Sequence, residues 1–310
     1  MEPRTTRQII AEGGSHRELR RQLDAGTIHR IARGAYVERL PTDPREAHRL
    51  LITATVPGLP AGVLSHASAA VLHGLPVPDG ALTRLHITRP RASKGGGWSG
   101  VRVHVHAAKL PDEDVQEVDG FAVTGVVRTC LDLARILPFE DVVVLLDAAM
   151  HDPNHPADER TDIRLALESG LAGLGRVPGV RRARQALAFA DGRAASPLES
   201  RSRIIMWQQG LPKPELQYEV YDSFGHLVAR YDFAWPEQRV YGECDGKVKY
   251  AQLLRPGESA ADVVMREKRR DNDAAARGWR DVHWDDGDLK RPRVLANRIR
   301  AVLFPRAKAA

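Results

Sequence analysis

Apolar and polar positions change period several times along the chain, and each change marks an expected element. HRELRRQLDA spaces Leu19 and Leu23 four apart with arginines between them, the seam of a helix buried on one side. Ser15, followed three residues later by Glu18, is a capping box, and Gly26 stops the helix. A shorter helix, RQIIAEGG, precedes it, with Thr6 as its cap and Gly13-Gly14 as its end. TIHRIARGAYV follows as a tight hairpin, with Ile28 and Ile31 before Gly34 and Tyr36 and Val37 after it. PTDPREAHRLLITATVP reads as a helix entered through prolines, and LSHASAAVLHGL as a short helix of small residues ending at Gly74. ALTRLHITRP and GVRVHVHAAKL read as strands, with RASKGGGWSG between them as a hairpin tip. In the second strand Val101, Val103 and Val105 alternate with Arg102, His104 and His106, so the histidines are expected on the wet face of a sheet rather than in a metal site. VDGFAVTGVVRTCLDLARILPFEDVVVLLDAAM begins as a short strand and continues as helices. Residues 162–191 hold two more helices broken at Gly and Pro, with loop and linker segments on either side.

The C-terminal pattern carries the chemistry. SPLESRSRIIMW opens a helix, and LVARYDFAWP and RVYGECDG are strand-like. Residues two apart in a strand share a face, so Glu243 and Asp245 project together with Cys244 turned away. A hairpin that brings Asp232 beside Glu243 makes an oxygen-rich pocket suited to a hard cation such as Mg²⁺ or Mn²⁺, whose waters can become nucleophiles for phosphodiester cleavage. Glu199 has two readings: a further carboxylate of that pocket, or the acidic member of a capping box that begins at Ser196 with Pro197 in the first turn.

Composition narrows the setting. The chain has 310 residues, enough for two or three domains, and its 43% apolar content can fill sizeable cores. The two cysteines, Cys130 and Cys244, lack metal spacing and do not form a disulfide framework, which fits a reducing cytoplasm. No apolar run has the length of a membrane span, and the N-terminal residues have no signal-peptide core. The formal charge of +6 favours a polyanionic partner. Basic residues cluster at Arg17, Arg20 and Arg21, at Arg30 and Arg33 in the hairpin, and at Arg266, Lys268, Arg269 and Arg270. These arginines are the expected DNA contacts, with salt-dependent affinity for phosphate.

Two resemblances sharpen the reading. Residues 196–289 resemble the very-short-patch-repair-like branch of the PD-(D/E)XK nucleases, through SPLES, ARYDFAWPEQRVYGECDG, REKRRDNDAAARGW and RDVHWDDGDL in that order. The resemblance implies a metal-dependent nuclease core with Asp232, Glu243 and Asp245 at the metal, and Glu199 as a helical accessory ligand or orienter. The general (D/E)xK motif has Lys where Asp245 stands; the ExDG form is usual for this branch, where a His often follows. Here GKVKY follows, so Lys247, Lys249 and Lys268 are the candidates for the missing cation. Lys268 is preferred, because its helix is expected to pack beside the sheet; without such a cation the site is inactive. GSHRELRRQLDAGTIHRIARGAYV, LSHASAAVLHGL and VTGVVRTCLDLARILPFEDVVVLLDAAM together resemble the AbiEi-type antitoxins of abortive-infection type IV toxin–antitoxin systems, over about residues 1–150. That resemblance implies a winged-helix DNA binder, an α/β scaffold and a cognate toxin protein as partner; it does not imply catalysis.

The expected architecture is therefore a multidomain α/β protein: a winged helix-turn-helix at 1–40, an antitoxin-like α/β scaffold at 41–150, a helical linker region at 151–195, and a PD-(D/E)XK-like mixed sheet flanked by helices at 196–305. The expected function is a Mg²⁺-dependent DNA endonuclease in the cytoplasm, with Asp232, Glu243, Asp245, Glu199 and Lys268 as its catalytic group. The alternative is an antitoxin-like transcriptional regulator whose nuclease-like domain is inactive.

Overall fold

The computed structural model describes residues 2–59, 62–89, 98–99, 102–151, 160–221, 224–245, 265 and 274–305. Lys247, Lys249, Arg266, Lys268, Arg269 and Arg270 lie outside the described residues. The chain is a mixed α/β protein that divides into two compact units: Met1–Leu145 with Thr161–Phe189, and Leu146–Arg160 with Ala190–Ala310. No described helix is long and apolar enough to cross a membrane.

The first unit begins with β1 (Arg4–Thr5), α1 (Thr6–Ala11) and α2 (His16–Asp24), followed by β2 (His29–Ala32) and β3 (Ala35–Val37). Thr5, not Thr6, caps α1: its side chain accepts the Gln8 N–H, and the Gln8 side chain accepts the Thr5 N–H in return. Ser15 caps α2 as its spacing predicts, accepting the Glu18 N–H at 3.1 Å. β2 and β3 meet at Gly34, whose φ of +73° is open to glycine without a Cβ clash. β1 was not expected; it adds to the far edge of β3, giving the order β1-β3-β2.

α3 (Pro44–Thr55), β4 (Val63–Leu64), α4 (His66–Leu72), β5 (Leu85–Arg89), β6 (Trp98–Ser99), β7 (Val103–Ala107), β8 (Val115–Val118), β9 (Phe121–Thr124) and α5 (Val126–Ala134) follow. Every residue of α4 is buried. Its alanines, Ala67, Ala69 and Ala70, keep the helix narrow enough to pack against α3, α5 and β5. The six strands run in the order β6-β7-β5-β4-β9-β8. β5 and β7 pair in parallel, Leu85 opposite Val103, and so are not the two arms of the hairpin expected. Leu85, Ile87, Val103 and Val105 enter the core with Leu64 and Val123. α6 (Phe139–Met150) leads out of this unit, and α7 (Arg160–Gly173) and α8 (Val180–Phe189) return to it. Gly170 lies against Leu131, Arg164 donates to the Leu187 carbonyl and Arg184 to that of Leu171. The helices expected in a linker thus belong to the first compact unit.

The second unit contains α9 (Pro197–Gln208), β10 (Glu215–Tyr221), β11 (Leu227–Trp235), β12 (Val240–Asp245), β13 (Arg280–Asp285), α10 (Asp286–Leu289) and α11 (Pro292–Leu303). Its sheet runs β10-β11-β12-β13. The first two pairings are antiparallel and the last is parallel. Phe233, Trp235, Val240, Cys244, Val282 and Trp284 form one core with Met206 of α9 and Leu295 and Ile299 of α11. The Trp284 ring fills the space a side chain at position 242 would need: a Cβ on Gly242 would stand 2.7 Å from it. The indole N–H donates to Ser202 Oγ at 2.7 Å, which ties β13 to α9. At the other end of α6, Asp147 and Arg203 form a buried ion pair at 2.7 Å, and Asp147 also accepts the Asp191 N–H.

His48 tests the pH response of the first core. It is 1% exposed; its Nδ1–H donates to the Leu82 carbonyl at 2.8 Å, so its Nε2 accepts from the Ser68 hydroxyl at 2.9 Å. Burial lowers its pKa from the ordinary value of 6.5, with the Leu82 hydrogen bond opposing. The unfolded chain then binds the proton more readily, so His48 contributes stability that is present above about pH 6.5 and lost as pH falls toward its folded pKa. Thermal melts between about pH 7.5 and pH 5 are expected to show wild type losing stability on acidification. His48→Gln should lose roughly 1–3 kcal/mol at neutral pH, from the disturbed buried partners, and show a shallower acid decline. An equal acid decline in both proteins would remove His48 from this role.

Candidate functional site

The start of α9 carries Glu199 into the fold. Ser196 caps the helix by accepting the Glu199 N–H, and the Glu199 carboxylate answers on both sides. Oε1 accepts the Ser196 hydroxyl at 3.0 Å; Oε2 accepts the Ala195 N–H at 2.9 Å and the Gln217 amide at 2.8 Å. Gln217 reaches it from β10 with φ at +51°, a left-handed backbone that costs on the order of 1–3 kcal/mol outside glycine. Both sequence readings of Glu199 are therefore present in one side chain. It belongs to the cap, and it is 2% exposed beside a second carboxylate. Burial raises its pKa, and the charge of Asp232 raises it further.

Asp232 lies where β11 and β12 part. The strands pair from Trp235 opposite Val240 to Phe233 opposite Gly242, so Asp232 and Glu243 come next along the same register. There Asp232 Oδ2 accepts the Cys244 N–H at 3.1 Å, and the Cys244 thiol points to the same oxygen at 3.6 Å. One ligand atom each from Glu199, Asp232 and Cys244 lies within 4.8 Å of the other two. Cys244 turns away from Glu243 and Asp245 as expected, and on its own face it lies against Asp232.

Glu243 and Asp245 join a different set. Alternation along β12 sends Val240 and Cys244 into the core beneath α9 and α11, while Tyr241 stacks on Tyr231 in a second apolar cluster on the other face. Glu243 and Asp245 share the face of Tyr241. Opposite Glu243 on β13 stands His283, with Nδ1 3.6 Å from Asp245 and Nε2 3.5 Å from Asp281. Its hydrogen bond to Asp245 raises its pKa, against the effect of burial. The four acids expected in one pocket are divided: Glu199 and Asp232 with Cys244, Glu243 and Asp245 with His283. Sequence reasoning missed His283, although Val282 and Trp284 are inward-facing neighbours whose alternation turns it to the acidic face. Nothing in the sequence marks the left-handed Gln217.

The N-terminal arginines lie on the surface of α2 and of the hairpin that follows it. Arg17, Arg20 and Arg21 are exposed on α2, three and four residues apart, while Leu19 is buried. Arg30 in β2 and Arg33 in the β2–β3 turn are exposed as well. Arg21 pairs with Glu18, and Arg30 donates to the Ala32 carbonyl.

A second cluster lies in the first unit, on the sheet face away from the apolar core. His104 and His106, expected on the wet face of a sheet, stack on one another and on His86, and His106 also stacks on His66. A ring nitrogen each from His66, His86 and His106 lies within 4.8 Å of the other two.

No family model matches the chain. The uncharacterized proteins MT2308 and Rv2248, from two strains of Mycobacterium tuberculosis, are each 32% identical to it over 170 residues, which cover 51% of this chain and 60% of theirs. The chain therefore spans about three fifths of the length of the curated relatives it matches.

The Glu199 geometry separates shape from charge. In Glu199→Gln the amide oxygen can keep the Ala195 and Gln217 donors while the new NH₂ donates to Ser196, so the urea midpoint should stay within about 0.5 kcal/mol of wild type. Glu199→Ala leaves buried donors without an acceptor and should lose roughly 2–4 kcal/mol. Equal losses for the two variants would contradict this account of the cap.

Proposed function

We propose that the second unit is a divalent-cation-dependent nuclease, similar to the very-short-patch-repair-like PD-(D/E)XK enzymes, which hydrolyses DNA phosphodiesters, and that the arginine-bearing helix and hairpin of the first unit bind duplex DNA in the manner of a winged helix. The observation that carries the reading is the convergence of Glu199 and Asp232, from a helix and a strand distant in sequence, at one end of a mixed sheet. The order of elements supports it: a helix, three antiparallel strands, and a fourth strand parallel to the third.

The donor set fits Mg²⁺ or Mn²⁺ at the two carboxylates, since hard cations take oxygen ligands. The Cys244 thiol is a poor ligand for such ions, and its hydrogen bond to Asp232 gives it an orienting role instead. Like charges pressed together out of water also favour a cation, because Glu199 has its pKa raised by burial and by Asp232. Glu199 and Asp232 would hold the ion, while Glu243 and Asp245 stand with His283 on the other face of β12. When bound, such an ion polarises a phosphoryl oxygen and lowers the pKa of a bound water. The chain itself supplies fixed ligands: three donors hold the Glu199 carboxylate, and the Cys244 N–H holds that of Asp232. His283 stands beside Asp245, the position where the general motif has lysine.

A second reading rests on that same position. Asp245 adds a negative charge where the motif has a cation, and an AbiEi-like regulator with an inactive nuclease-like unit, partnered by a toxin protein, needs no cation there. Cleavage separates the two. Purified full-length protein is expected to nick supercoiled plasmid with Mg²⁺ or Mn²⁺ and not with chelator, and Asp232→Asn and Glu199→Gln should each reduce the rate by about tenfold or more, because each removes a charge of the ligand set. If wild type cuts neither duplex nor single-stranded DNA with either ion, the regulator reading stands.

DNA binding is tested separately by anisotropy with labelled duplex across a salt series. Each phosphate that the protein no longer neutralises should reduce the log–log salt slope by about 0.9, so Arg17→Ala, Arg20→Ala and Arg21→Ala combined should flatten it by up to about 2.7. An unchanged slope would move the DNA-binding surface elsewhere.

A further inference from the structure

We propose that His66, His86 and His106 form a binding site for a borderline-soft divalent cation, Zn²⁺ in the first instance, independent of the acidic site in the second unit. The three ligands come from three elements: the first residue of α4, the second of β5 and the fourth of β7. One ring nitrogen from each lies within 4.8 Å of the others. Tetrahedral zinc with bonds of about 2.0–2.1 Å separates its ligand nitrogens by roughly 3.4 Å, so the rings need shift only slightly to close on an ion.

The arrangement around the rings is that of oriented ligands. His86 Nδ1 and His106 Nε2 stand 2.9 Å apart, so without an ion one ring donates a proton to the other, and a metal takes the place of that shared proton. His66 Nδ1 lies 3.0 Å from Ser65 Oγ, which itself accepts the Thr88 hydroxyl. Ser65 can thus take the Nδ1–H of His66 and leave Nε2 as the metal-binding nitrogen, the outer partner that metal-bound histidines have as a rule. His66 is held with φ at +50°, a left-handed conformation uncommon outside glycine, and it is buried. His104, stacked 4.3 Å from His106, braces the set.

The electrostatics agree. Burial is the first cause that lowers the pKa of all three rings, to about 4 for His86 and about 3 for His106, so each is neutral and has a lone pair to offer. Arg128, whose charge also acts on His66, is already paired with Asp114 and Asp132 at 2.8 Å. Three imidazoles and one open position match zinc and cobalt better than magnesium or calcium, which take oxygen ligands.

The test uses the untagged full-length protein, stripped with chelator and titrated with Zn²⁺ against a chromophoric competitor, and with Co²⁺ by visible absorption. The expected result is one tight zinc equivalent, an intense tetrahedral cobalt spectrum without thiolate charge transfer, and a zinc-dependent rise in melting temperature. Asp232→Asn should bind as wild type does, and His106→Gln, altered at a half-exposed ligand, should weaken zinc by about tenfold or more. Should His106→Gln fail to fold, the cobalt spectrum of wild type decides alone: a weak octahedral spectrum overturns the site. Loss of the tight equivalent in Asp232→Asn, or full affinity in folded His106→Gln and His86→Gln, overturns it too.

Discussion

The C-terminal unit is built around a constraint: the buried carboxyl group of Glu199 is held beside the half-buried one of Asp232. At the separation of Glu199 and Asp232, and at an effective dielectric near 20, two full negative charges repel by on the order of 3 kcal/mol. The fold tolerates them because each is held by donors: Ala195, Ser196 and Gln217 for Glu199, and the Cys244 N–H for Asp232. A left-handed Gln217 is kept so that its amide reaches Glu199. Strain, burial and like charge in one place are poor choices for stability alone, and they make sense where a proton or a cation is to be taken up.

The scaffold around this pair is stiff for identifiable reasons. Trp284 packs over Gly242 and donates to Ser202 of α9, which fixes β13, β12 and the helix as one block. Arg203, one turn beyond Glu199, pairs with buried Asp147. Burial pushes the Asp147 carboxyl up to about 6, while Arg203 and the Asp191 N–H pull it down. Such a pair adds little net stability, but removing one partner strands a charge, so it holds α9 to one position more than it strengthens the fold.

Local signals were legible where local physics decides. Ser15 and Ser196 cap the helices their spacing predicts, and Gly34 and Gly74 take the left-handed turns. The β8–β9 hairpin turns at Asp119-Gly120, a two-residue signal present in the sequence and passed over in favour of a single strand. The order of the acids marked the candidate site, yet their division between two faces was hidden. Leu216 and Phe233 pair, as do Tyr218 and Tyr231, but Phe233 and Tyr231 enter different apolar clusters, because the left-handed Gln217 between them breaks the alternation that sequence reasoning assumes. The histidine cluster was equally hidden: β5 and β7 run parallel, and His66 arrives from a helix, so adjacency is set by topology and not by spacing.

In the proposed reading, charge also explains why binding and chemistry would fall on different parts of the chain. A phosphodiester approaching Glu199 and Asp232 without a counter-ion meets negative charge that the surrounding low dielectric strengthens. The acidic site therefore cannot supply DNA affinity by itself. Attraction has to come from exposed cations, and Arg17, Arg20, Arg21, Arg30 and Arg33 are exposed on the helix and hairpin of the first unit. The enzyme and regulator readings share this distribution. They part only at the acids: a cation held there turns repulsion of the phosphate into attraction, and without one the same carboxylates keep the backbone of the DNA at a distance.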